Sequence, residues 1–173
     1  RAFLDENHED IVENYLELIN AYIGLNDINQ AKVLCNKVLN IEQKLQENVS
    51  IRKAEVYMYL GMIWKSEKKY TEAINYIKKS DALFIQLLGK NHKYHNTLYL
   101  LLSEIEYVQE NINQAITYAV ASFPYDKNDL FENILSKLQV YQLQFYKNKY
   151  SNQYWDNVLD TLKQKINVLR KEN

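Results

Sequence analysis

Glycine and proline are nearly missing from this sequence: three and one, respectively, in 173 residues. Folds rich in strands and tight turns consume both residues, so their scarcity speaks against a β or α/β architecture and for helices with short connections. Cysteine is scarcer still, since Cys35 stands alone and no intrachain disulfide is possible. A lone thiol suits a reducing compartment, so a cytoplasmic setting is expected. Charge is balanced at 21 basic and 22 acidic residues, which removes the accumulated positive charge needed to grip a nucleic-acid backbone. No apolar run approaches the roughly 20 residues that span a bilayer, and no signal peptide is visible. Neither a nucleic acid nor a membrane is therefore an expected partner. The chain opens at Arg1 without Met, which raises the expectation of a region taken from a longer protein.

What the sequence does contain is a period. Ala31, Ala73 and Ala115 are spaced by 42 residues, as are Leu18, Leu60 and Leu102, and Tyr15, Tyr57 and Tyr99. The string INQA occurs at 28–31 and 112–115, and Asn7–His8 returns as Asn91–His92, each two periods apart. Self-similarity at such a period marks stacked repeats.

Each period reads as two helices. Ile11, Tyr15, Leu18, Ile19 and Tyr22 recur at helical steps, predicting helix A over 11–25. After Asn26–Asn29, helix B is expected over 30–46 with Ala31, Leu34, Val38, Ile41 and Leu45 facing inward. The second unit predicts helices at 51–66 and 70–88, closed by Gly89, and the third at 96–109 and 112–123, stopped by Pro124. Further helices are expected near 129–147 and 153–170. The small Ala31, Ala73 and Ala115 would let paired helices approach, while Leu18, Leu60 and Leu102 would fill the seam. Each hairpin has two apolar flanks and hides them by stacking.

The pattern Tyr57-x2-Leu60-Gly61-x2-Trp64, followed by Ala73-x3-Ile77, resembles the tetratricopeptide (TPR) repeat. The usual repeat has 34 residues. The 42-residue unit and the linking Leu88-Gly89-Lys90-Asn91-His92 resemble the long repeats of kinesin light chains. Ile19 and Ser103 stand where the signature has glycine. The resemblance implies an all-α, right-handed superhelical array of antiparallel hairpins: one domain over 5–173, with repeats at about 5–46, 47–88 and 89–123 and a degenerate capping hairpin at about 129–170.

It also implies a concave wall lined by the A helices. Projected onto this sequence, the wall comprises Glu13, Leu16, Glu17 and Asn20, then Glu55, Met58, Tyr59, Met62 and Lys65, then Thr97, Leu101, Glu104 and Tyr107, with Leu138, Gln142 and Phe145 as additions. Its apolar centre and spaced carboxylates suit a peptide or helix carrying basic residues. Some TPR domains clamp a C-terminal carboxylate with Lys, Asn and Arg. Only Asn20 and Lys65 match in type, so such tails are disfavoured.

The expected function is thus a non-enzymatic scaffold or adaptor domain binding a peptide or helical segment. The alternatives are a regulatory domain sensing a signalling peptide, as in peptide-responsive transcription regulators and phosphatase-type sensors, or the helical appendage of an enzyme. Trp155, Leu159, Leu162 and Ile166 need cover on the last helix, so self-association there is an expectation. No catalytic residue, cofactor or metal is expected. His92 and His95 share a helical spacing, but zinc takes three or four ligands and no second His or Cys pair lies nearby. His92, in register with His8, therefore reads as a repeat-turn residue, and Cys35 as a structural one.

Overall fold

The computed structural model describes residues 8–45, 49–90, 92, 94–122 and 152–171. They form seven helices and no strand: α1 (His8–Gly24), α2 (Ile28–Lys44), α3 (Ile51–Ser66), α4 (Tyr70–Leu88), α5 (His95–Val108), α6 (Ile112–Ser122) and α7 (Asn152–Lys171). No helix among the described residues is long and apolar enough to cross a membrane. The helix expected near 129–147, with Leu138, Gln142 and Phe145, lies outside the described residues. Contacts sort the chain into two compact units, Arg1–Leu98 and Tyr99–Asn173.

The period is written into the backbone. Among the described residues, Asn26, Lys68 and Glu110 are the non-glycine residues with positive φ, at 60°, 60° and 64°, and they are spaced by 42 residues. Each ends an A helix in the same way. Asn26, Lys68 and Glu110 donate their N–H to the carbonyls of Ile23, Lys65 and Tyr107, and the next residues, Asp27, Lys69 and Asn111, reach back to Tyr22, Trp64 and Glu106. These two bonds define a Schellman cap, which satisfies carbonyls the helix end would leave open. The carbonyls of Asp27, Lys69 and Asn111 then accept from Ala31, Ala73 and Ala115, so one residue closes one helix and opens the next. The chain therefore turns without glycine, accepting a left-handed residue at a cost of about 1 kcal/mol each.

In the first unit α2 packs against both α1 and α3, α1 also touches α3, and α3 pairs with α4. Val12, Leu16 and Ile19 of α1, Ala31, Leu34, Cys35 and Val38 of α2, and Val56, Leu60 and Ile63 of α3 form one core. The core stripe of α1 is thus Val12–Leu16–Ile19: of the expected face, Ile19 is core, Tyr15 and Tyr22 pack partly buried against it, and Ile11 and Leu18 are exposed, so the buried stripe is rotated toward Val12 and Leu16. Leu18 does not fill the seam: it is 46% exposed, whereas Leu60 and Leu102 are buried. Leu60 explains the difference, because its core partners lie in the preceding hairpin, and α1 has no preceding hairpin among the described residues.

Close approach of α3 to α4 is set by Gly61. A Cβ there would lie 2.6 Å from Ile77 Cγ1 and 3.5 Å from the carbonyl oxygen of Ala73. The two hairpins are joined by Glu42, a carboxylate 1% exposed that accepts hydrogen bonds from the Ser50 hydroxyl and, at 2.9 Å, from Arg52 Nε. Ser50 also caps α3 by accepting from the N–H of Lys53. Sequence periodicity gave no sign of this buried charge on α2.

In the second unit Ala115, Ile116, Ala119 and Val120 of α6 pack with Tyr154, Val158 and Leu162 of α7. Leu162, expected to need an outside cover, is 0% exposed because α6 supplies that cover, and Leu159 is half-buried against the same cluster. The side chains of Trp155 and Ile166 lie outside the described residues. Tyr99 meets Tyr118 edge-on at 5.6 Å, and the Ser103 hydroxyl bonds the carbonyl of Ala115, tying α5 to α6.

Candidate functional site

The projected wall separates into three groups. Glu13, Glu17 and Asn20 are exposed along α1. Glu55, Tyr59, Met62 and Lys65 on α3, and Thr97, Glu104 and Tyr107 on α5, are half-buried. Leu16, Met58 and Leu101 are core residues, at 4%, 6% and 8% exposure. Leu16 follows from the rotated stripe of α1. Met58 is buried because α3 is flanked by α1 and α2 and paired with α4, leaving it little open face. Tyr107 is spent in the second unit, where it packs edge-on against Tyr154 at 4.7 Å. Leu16, Met58 and Leu101 are therefore withdrawn into the core, while Tyr59 and Met62 keep part of their surface open. The first unit presents carboxylates and phenols.

These groups interact. The Tyr94 hydroxyl donates to Glu55 Oε1, linking the start of the α5 segment to α3. Burial pushes the Tyr94 phenol above its ordinary range, and the bond to Glu55 and the charges of Glu55 and Glu13 add to the rise. Burial also raises Tyr59, again with Glu55 and Glu13 contributing. Glu13 of α1 thus acts on phenols carried by α3 and by the α4–α5 connection. Glu13 and Glu55 thus both bear on the phenols of Tyr59 and Tyr94, of which Tyr94 hydrogen-bonds Glu55. Such a surface attracts ammonium and guanidinium groups.

At the opposite end of α3, the Nζ atoms of Lys32 and Lys69 stand 4.3 Å and 4.6 Å from the ring centroid of Trp64. Glu67 accepts a hydrogen bond from Lys32, which lowers its carboxyl below the usual range. This cluster fastens the α3–α4 turn to α2. Cys35 is fully buried, and desolvation pushes its thiol up to about 12, so it holds no thiolate at neutral pH.

A second cluster was missed by sequence reasoning. Asp81 of α4 stands 3.4 Å from His92 Nε2 and 3.8 Å from His95 Nδ1. The pair of histidines does have a third donor. It is a carboxylate on the preceding helix, and a search confined to neighbouring His and Cys passes over it. The available signal was Gly89: a glycine cap reverses the chain, so residues just after it fall beside the helix they leave.

No family model, curated protein or solved structure matches the chain.

Proposed function

We propose that the first unit is a protein-interaction module of the TPR type, which takes a basic peptide, or the basic face of a partner helix, along the surface shared by α1 and α3. The observation that carries this reading is that α1, with Glu13, Glu17 and Asn20 exposed, packs beside α3, which carries Tyr59 and the Glu55–Tyr94 pair, with Glu13 close enough to act on both phenols. The repeated Schellman turn supports a common hairpin unit, the architecture on which TPR grooves are built. Carboxylates supply attraction for lysine or arginine, and the phenols supply flat, weakly polar contact for their aliphatic stems.

Fluorescence anisotropy with a labelled Lys/Arg-rich peptide and a matched Glu-rich one tests this. The basic peptide should bind, and more weakly as salt rises, while the acidic peptide should not. Equal binding of both peptides, or of neither, would overturn the reading.

A further inference from the structure

Asp81, His92 and His95 come from three different places in the chain. Asp81 lies in the second half of α4, His92 follows the Gly89 cap in the connection, and His95 opens α5. Beyond the two contacts to Asp81 Oδ1, ligand-capable atoms of all three residues lie within 4.8 Å of one another. The side chain of His92 is 0% exposed, and neither of its ring nitrogens has a hydrogen-bond partner among the described residues. A buried imidazole whose nitrogens make no hydrogen bond, with Nε2 only in ion-pair range of Asp81, is uncommon in a folded protein and points to a ligand. Two donors on one tetrahedral zinc ion, each at about 2.0–2.1 Å, stand roughly 3.3 Å apart. The separations of 3.4 Å and 3.8 Å are therefore close to those of a formed site.

We propose that Asp81, His92 and His95 bind a divalent first-row transition-metal ion, with zinc the best fit. Two imidazoles and one carboxylate are borderline ligands, which select against calcium and magnesium with their all-oxygen shells. The side chains of Asp81 and His95 are 17% and 24% exposed, giving an ion its way in and leaving room for water at a fourth position. The imidazole is held from behind. Phe84 packs against His92 with centroids 5.2 Å apart, and Tyr94 stacks on Phe84 at 4.1 Å and 10°. Such outer contacts fix ligand orientation. A bound ion would staple the α4–α5 connection, adjoining the Tyr94–Glu55 bond of the proposed peptide surface without depending on that reading.

The test starts from protein stripped with chelator and dialysed against zinc, followed by elemental analysis. One ion per chain is expected, with a rise in Tm of roughly 5–10 °C at about a hundredfold excess over Kd. Asp81→Asn and His95→Gln should each weaken zinc binding at least about tenfold and cut the Tm shift at the same zinc concentration by about half or more, while keeping the helical circular-dichroism signal. Cobalt(II) with the unmutated protein gives an independent readout: visible ligand-field bands with no thiolate charge-transfer band, as expected for nitrogen and oxygen donors. Unaltered zinc affinity in both folded variants, no zinc-dependent Tm shift in the unmutated protein, or a thiolate band would each overturn the proposal.

Discussion

The hydroxyl of Ser103 lies 2.9 Å from the carbonyl oxygen of Ala115, at the repeat position where the missing side chain of Gly61 faces the carbonyl of Ala73 and where Ile19 shares a core with Ala31. One seam is thus closed in three ways: by an aliphatic side chain, by nothing, and by a hydroxyl. The Ser103 hydroxyl also meets that of Tyr154 at 2.9 Å, and burial raises the Tyr154 phenol. Ser103→Ala leaves a buried phenol and a buried carbonyl without this partner. Urea denaturation should show a loss of about 1–3 kcal/mol.

Gly61 should tolerate nothing larger. Alanine gains about 1 kcal/mol in helix propensity, but its Cβ meets Ile77 Cγ1, part of a β-branched side chain that is 0% exposed. Overpacking costs roughly 1–3 kcal/mol, so Gly61→Ala should lower the denaturation midpoint.

At the turns the direction reverses. Lys68 and Glu110 hold left-handed φ values without the local side-chain bond that asparagine can make. Lys68→Gly and Glu110→Gly should each stabilise the protein by about 0.5–1 kcal/mol, read as a higher Tm, and Asn26→Gly by less.

Glu42 predicts a large loss. Arg52→Met leaves a carboxylate 1% exposed with only the Ser50 hydroxyl as its identified partner. Breaking a buried pair costs about 3–5 kcal/mol, and the 17% exposure of the Arg52 side chain places the expected loss near the lower end.

The alkaline limb follows from Cys35 and the phenols of Tyr57, Tyr59, Tyr94 and Tyr154, all raised chiefly by burial. A group whose pKa is higher folded than unfolded contributes stability that is complete below its unfolded value and lost as pH rises toward its folded value. Denaturation midpoints should therefore owe little pH dependence to these groups below about pH 8, and fall above it, first through the thiol and then through the phenols. Thiol reagents at pH 8 should label Cys35 only on unfolding.

Much of the fold was legible because punctuation and period agreed. Helices over 51–66 and 70–88 coincide with α3 and α4, and the INQA strings fall at equivalent starts of α2 and α6. The first turn was legible at 26–29, although the left-handed residue shared by the three turns, Asn26, Lys68 and Glu110, carries no common side chain. Faces were less legible. Leu18 and Ile19 both fit one broad helical stripe, and only the position of the neighbouring helices decides which edge of it is core. That choice displaced Leu16 from the wall and Leu18 from the seam. Met58 shows the same limit, because a helix flanked on several sides loses the amphipathic contrast that projection relies on. A test that charges Met58 would consequently report on folding rather than on binding. Glu42 and the Asp81–His92–His95 cluster depend on long-range proximity, which residue type and spacing do not encode.

Isotope-edited NMR of the labelled protein titrated with a Lys/Arg-rich peptide tests the central claim most directly. Amide shifts should concentrate at Glu13, Glu17, Asn20, Glu55 and Tyr59, and Glu13→Lys combined with Glu17→Lys should weaken binding about tenfold or more with the spectrum otherwise preserved. Shifts confined to the outer faces of α2 and α4, or affinity unchanged by the double reversal, would contradict the account.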